Sequence, residues 1–346
     1  ALVSIFMVDY IKKRSYYISL SIALIICTLC SFTIPFVSEF WFLKIWFILI
    51  GISFSIGKIC VFSIIKNISD NEKDFSKTMS RTEAAFMLGV FIVNIEFAII
   101  LNSDYKDYWK FGFWLVGIIS SWAAFQFYRI DKQNVYEIDK SQSKEVIDFR
   151  ILFDYKSILF FTIVVIIVFT EQIFNSWLPT FYKHTLKADS FFALQSSAFL
   201  ALFSFIGRLL ASKAVVKFSP MKIFFFCLIS GIILTSSAYI IGQDTDVKVK
   251  ILMFLFPMVG IFTAPLYPML NSKYLSKFSE RRVGKIVSII ILFTSLGGSI
   301  GSMSTAYIFQ KNLGNYYLLF ATIPLILILI FSTFFSIKEK ISEYIK

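Results

Sequence analysis

Apolar runs of about twenty residues recur along nearly the whole chain, separated by short clusters of charge. A helix rising about 1.5 Å per residue crosses roughly 30 Å of hydrocarbon in such a run. The runs fall at 1–9, 16–36, 41–64, 82–102, 108–128, 156–180, 191–212, 221–242, 249–272, 284–309 and 316–336. Backbone amides in lipid have no water to bond, so a spanning segment must be a helix or part of a closed barrel. Barrel strands alternate apolar and polar residues over about ten positions, whereas these runs are continuous, which predicts helices. Only 16% of the residues are charged, against about 25% in an ordinary soluble domain. The expected fold class is therefore an all-α polytopic membrane protein in a lipid bilayer. Run 1–9 is half a span with no basic leader before it, and it is read as the end of a helix that begins upstream.

Lysine and arginine orient the spans. Twenty-five of them lie in the loops 10–15, 65–82, 129–156, 208–222, 273–285 and 337–346, and eight lie in the alternate loops. Cytoplasmic loops carry such an excess, which puts the first set inside. The net charge of +12 is then a topology signal, and nucleic acid is not an expected partner. Aromatic pairs such as Tyr16–Tyr17 and Tyr108–Trp109 stand near span ends, where amphipathic rings favour the interface. The longest hydrophilic stretch, 129–155, mixes both signs and reads as a cytoplasmic linker between an N-terminal bundle, 1–128, and a C-terminal bundle, 156–346. Two such halves are a common transporter plan, with the solute site at the midplane between them.

Several chemistries are disfavoured. Cys27, Cys30, Cys60 and Cys227 lie within spans, where a free thiol is a small hydrophobe. The single histidine, His184, falls in an outer loop, which argues against haem, a multi-histidine metal site or a general base at membrane depth. No Gly-x-x-x-x-Gly-Lys-Ser/Thr run is present, so ATP-driven transport by this chain is not expected. The expectation is a monomeric non-enzyme without a cofactor.

Polar groups inside spans are expensive and by default functional. Lys58 needs an acid, and Glu83 at similar depth in the next span is the nearest in sequence. The two form either a structural pair or part of a solute path. Glu171, Gln172 and Asn175 sit together about fifteen residues into their span, near mid-bilayer. Carboxyl and amide groups suit a hydroxyl-rich solute, and Trp177 can stack on an apolar sugar face. Hydrocarbon favours the neutral form of a carboxyl, which makes Glu171 a proton-carrier candidate. Interhelical packing by amides is the competing explanation. Glu96 and Asn94 form a second cluster on differing helix faces. Thr263, Tyr267 and Asn271 recur four residues apart beside Pro265 and Pro268, which interrupt helical hydrogen bonding. Gly297, Gly298 and Gly301 allow close helix approach.

Two basic turns carry a resemblance. Asp9 is followed by Lys12, Lys13 and Arg14, and the run GRLLASKAVVKFSP holds Gly207, Arg208, Lys213, Lys217 and Pro220. They are similar to the Gly-x-x-x-Asp-Arg-x-Gly-Arg-Arg loop signature of the major facilitator superfamily, although Ile5 and Lys12 replace its glycines and Tyr10 its first Arg. The runs TEQIFNSWLPTFY (170–182), GIFTAPLYPML (260–270) and SLGGSIG (295–301) resemble the seventh, tenth and eleventh helices of the fucose-permease-like, sugar-type bacterial branch. The Gly-Pro-rich motif of drug/proton antiporters is absent from MLGVFIVNIEF. The resemblance implies two six-helix bundles with the first one and a half helices missing. It further implies a secondary transporter moving a small polar, sugar-like solute by alternating access, proton-coupled, in a bacterial cytoplasmic membrane. Asp9, Lys13, Arg14 and Arg208 would then form gating loops whose acid and bases part as the halves rock. A non-transporting receptor on the same fold, or an efflux-type facilitator, is the alternative.

Overall fold

The computed structural model describes residues 2–12, 15–133, 154–188, 190–242 and 254–344. Among them all regular structure is helical: α1 (Leu2–Lys12), α2 (Tyr16–Thr33), α3 (Phe40–Asn67), α4 (Glu72–Leu101), α5 (Phe113–Gln133), α6 (Tyr155–Thr180), α7 (Ser190–Ala214), α8 (Pro220–Gly242), α9 (Val259–Thr263), α10 (Leu266–Leu275), α11 (Glu280–Gln310) and α12 (Tyr317–Tyr344). Nine helical stretches among the described residues are long and apolar enough to cross a membrane, as the run pattern requires. Residues 134–153 of the expected linker, together with Lys13 and Arg14, lie outside the described residues, and of Asp9 only the backbone in α1 is described.

The run at 249–272 differs from the other spans. Residues 249–253 lie outside the described ones, and the rest divides into α9 and α10 at Ala264–Pro265. The backbone stays right-handed through this junction, with φ −63° and ψ −33° at Ala264 and φ −68° and ψ −19° at Pro265. What the prolines remove is donors: Pro265 and Pro268 lack the N–H groups that would bond the carbonyls of Ile261 and Ala264 four residues earlier. The result is a helix in which two carbonyls lack their usual i+4 donor.

The described residues pack as two compact units, one within Ala1–Ile68, Ile99–Asp148 and Phe278–Leu292, the other within Ser69–Ala98, Phe149–Lys277 and Phe293–Lys346. The first unit is fastened by small hydroxyls reaching carbonyls of neighbouring helices. Ser21 donates to the Ala124 carbonyl at 2.8 Å, Ser53 to that of Ala23 at 2.6 Å, and Thr28 meets Ser120 at 2.9 Å. Lipid offers no hydrophobic drive between helices, so close packing and such bonds hold them together.

The second unit has an aromatic core in which Phe174, Phe181, Tyr182, Phe256 and Tyr317 are almost wholly buried. Tyr317 is satisfied there by donating its hydroxyl proton to the Ile173 carbonyl at 2.8 Å. A side chain at Gly297 or Gly301 of α11 would run into the Val165 or Phe169 carbonyl of α6, so these glycines set that helix contact. Helix α4 belongs to this unit although its sequence neighbours α3 and α5 belong to the other. It presents Ser76, Ser80, Ala84 and Met87 as its buried face and leaves Phe86, Leu88 and Ile92 exposed, a one-sided helix at lipid.

Candidate functional site

The site is built around Arg208. The cation-rich run after Gly207 reads as a loop, but Arg208 is a helical residue only 1% exposed. The loop assignment of Arg208 is therefore corrected. Arg-Leu-Leu-Ala-Ser-Lys-Ala are good or tolerated helix formers, and the first proline is Pro220, so α7 continues to Ala214.

A guanidinium is kept at this depth because each of its three nitrogens has an acceptor. Nη1 donates to the Glu83 carboxylate at 3.2 Å and to the Glu83 carbonyl at 2.9 Å. Nη2 donates to the Glu171 carboxylate at 3.3 Å, and Nε to the Ala264 carbonyl at 3.0 Å. The last acceptor is one of the two carbonyls left open by the prolines: Pro268 has no N–H to offer Ala264, and Arg208 fills the gap. Gly207 lets α7 come close enough, because a Cβ there would collide with the Ile261 carbonyl, the one that Pro265 cannot bond. One planar fork thus ties α4, α6, α7 and the α9–α10 junction together, a geometry that lysine with its compact ammonium does not match.

Gly207→Ala is expected to push α7 off α9. Backbone cannot yield as a flexible side chain does, so the loss should be of the overpacking kind, about 1–3 kcal/mol. Thermal unfolding in detergent would register it as a lowered midpoint. An unchanged midpoint would mean that the contact at Ile261 is soft.

Glu83 bonds a cation 125 residues away in sequence, Arg208. The Lys58 ammonium lies 5.6 Å from the ring centroids of both Phe54 and Phe62 on its own helix, within cation–π range.

Beside Arg208 is a small recess lined on its polar side by Glu171, Asn175, Ser204 and Thr263, and on its apolar side by Met87, Phe174 and Leu200. At about 10 Å³ it takes one water-sized group. Glu171 and Asn175 meet there because four residues on a helix make one face. Pro179 removes the donor that would otherwise bond the Asn175 carbonyl, leaving another acceptor nearby.

The remaining residues singled out from sequence are placed differently. Gln172 donates its amide to Ser176 one turn on. Trp177 stacks on Phe309 with centroids 5.5 Å apart, and its buried Nε1 has no partner among the described residues. The recess includes Thr263 but neither Tyr267 nor Asn271, both buried on α10. Neither amide atom of Asn271 has a partner among the described residues. Glu96 is partly buried on α4 away from the recess, with Oε2 enclosed and without a hydrogen bond among the described residues.

A set of contacts at the cation-rich end of the second unit escaped the sequence reading. Glu72 and Lys273 approach to 3.4 Å, Ser76 bonds Ser272 at 2.5 Å, and Lys73 donates to the Val216 carbonyl at 3.1 Å. The signal was present in the spacing of Glu72, Ser76, Ser80 and Glu83, which puts acids and hydroxyls on one stripe of α4.

Membrane-length helices holding Arg208, Glu83 and Glu171 beside a polar recess define an integral membrane protein with a polar site among its spans. The sequence profile of the Major Facilitator Superfamily matches residues 1–302, and the chain belongs to that superfamily. Among solved structures, the E. coli fucose:proton symporter FucP superposes with a TM-score of 0.72 at 14% identity, covering 96% of this chain and 87% of that one. A bacterial homologue of the iron transporter ferroportin, in an outward-facing state, gives 0.70 at 13%, covering 97% and 87%. The human organic anion transporter MFSD10 gives 0.66 at 11%, covering 90% and 76%. At these identities the likeness is one of fold. No curated protein sequence matches the chain.

Proposed function

We propose that this protein is a secondary active transporter that moves a small polar, sugar-like solute by alternating access, with proton coupling, across a bacterial cytoplasmic membrane. The observation that carries the reading is the 3.3 Å Glu171–Arg208 contact on the wall of the recess with Asn175, Ser204 and Thr263. These side chains offer a solute hydroxyl both donors and acceptors, and the water-sized volume suits one hydroxyl or hydroxymethyl group. The fold shared with a fucose:proton symporter supports the sugar and proton assignment.

Arg208 gives the site a lever. It bonds Glu171 on the recess wall and Glu83 on α4 at the same time, so a proton or solute that engages Glu171 alters how the guanidinium is shared. The contacts of Glu72, Ser76 and Lys73 on the same helix would then act as a gate that parts when the halves 1–128 and 156–346 rock about the linker 129–155. Asp9, Lys13 and Arg14 remain the proposed latch of the first half. Tyr267, Asn271, Gln172 and Trp177 remain proposed solute ligands outside the recess itself, and Glu96 is the reserve coupling acid.

Counterflow in liposomes tests the reading. Vesicles loaded with an unlabelled monosaccharide should accumulate the labelled sugar transiently, and an acid-outside pH step should drive uptake of the same sugar. A panel of neutral sugars and polyols without any accumulation, beside a positive signal for a carboxylate or metal ion, would replace the sugar assignment. No counterflow of any solute would favour the receptor alternative.

A further inference from the structure

Gly207 and Arg208 are adjacent in α7 but line different cavities. Arg208 faces the recess, whereas Gly207 lines a groove of about 420 Å³ formed by α7, α8 and α9. Leu210, Ala214, Phe226, Ile261 and Phe262 make it apolar, and Lys222 in the first turn of α8 is its one charged lining residue. Leu210, Phe218 and Phe226 are each more than half exposed, so the groove opens on the surface that the membrane covers.

The charge near it has one sign. Lys213 in the last turn of α7 and Lys217 in the turn leading to Lys222 are exposed, and none of the three forms an ion pair among the described residues. This end belongs to the loop set that the Lys/Arg bias assigns to the cytoplasm. The cytoplasmic leaflet is the anionic one, and basic pockets between helices on that side take acidic headgroups.

We propose that the groove is a binding site for one anionic phospholipid, with an acyl chain along Leu210, Phe226 and Ile261 and its phosphate against Lys222. An apolar slot with a cation at one end matches that amphiphile better than it matches a protein helix, which would need polar partners along its length or a second charged end. The site has a consequence for the charge cluster. Gly207 and Ile261 touch at the α7–α9 contact that holds Arg208 on the Ala264 carbonyl. A chain seated against both residues braces this contact from the lipid side. Anionic lipid is therefore a stabilising ligand of the second unit, whatever solute the protein carries.

Thermal unfolding of the purified full chain in a neutral detergent, titrated with dioleoyl phosphatidylglycerol, tests this directly. The midpoint should rise saturably with phosphatidylglycerol and change little with phosphatidylcholine. Lys222→Gln should weaken the half-saturating concentration roughly fivefold, the effect of one surface lysine, and Lys222→Arg should restore it. Ala214→Trp, which fills the groove, should abolish the response, with native mass spectrometry of each variant counting retained phosphatidylglycerol. Equal shifts from both lipids, or an unaltered titration in Lys222→Gln, would overturn the proposal. So would an equal shift from glycerophosphoglycerol, which has the headgroup but no chain, or a lipid-free protein that dimerises until Ala214→Trp blocks the face.

Discussion

Replacing Arg208 by methionine is expected to destabilise the protein more than any other single substitution in the second unit. The change leaves the carboxylates of Glu83 and Glu171, only 13% and 19% exposed, without the cation they share. It also strips the Ala264 and Glu83 carbonyls of their donor. Removing one partner of a buried ionic cluster costs on the order of 3–5 kcal/mol, because the stranded charge has no compensation. Folded yield by size-exclusion chromatography and the thermal midpoint should both fall sharply. Arg208→Lys should rescue only in part, since one ammonium cannot reach acceptors on three other segments as the guanidinium fork does. The triple variant Arg208→Met, Glu83→Gln, Glu171→Gln should recover much of the loss, as deleting a whole cluster is far less costly than breaking it. A single Arg208→Met variant that melts with the wild type would show that the cluster carries no stability.

Glu171→Gln is expected to abolish uphill solute uptake while sparing exchange at equal concentrations. The amide oxygen still accepts from Arg208 Nη2, so the cluster keeps its shape and the recess its lining. What disappears is an acid that can take up and release a proton as the site alternates between faces. Proton-driven accumulation in vesicles should drop to the level of protein-free liposomes, and counterflow should continue. Loss of both activities in a well-folded variant would make Glu171 a solute ligand and not the coupling acid. Full retention of both would move coupling to Glu96, whose enclosed Oε2 is the next carboxyl oxygen on α4 at depth.

The helices were legible because lipid allows a spanning chain few options. Continuous apolar runs must become helices, and nine of the expected spans are present as such among the described residues. Pro265 and Pro268 marked the hydrogen-bond gap at Ala264 for an equally local reason, since a missing N–H is a property of the residue itself. Glycines 297 and 301 announced a close helix contact by having no side chain to obstruct it. Glu171 and Asn175 fell on one face by helical period alone, and both line the recess.

Ion pairing across the chain was not legible in the same way. Sequence proximity is the only distance a sequence offers, and it gives no hint that Glu83 bonds a cation 125 residues further on. Arg208 was read as a loop cation because arginine is ordinarily kept out of hydrocarbon; a sequence does not reveal that two acids and two carbonyls from other segments converge to satisfy it. Trp177 was free to stack on a solute until Phe309 was seen to cover one of its faces. By itself the sequence determined the membrane class, the number and course of most spans and the residues able to carry charge at depth, all of which follow from local hydropathy and backbone chemistry. Only the tertiary structure decided which charges meet, because a buried cation is tolerated or forbidden according to the acceptors that packing brings around it.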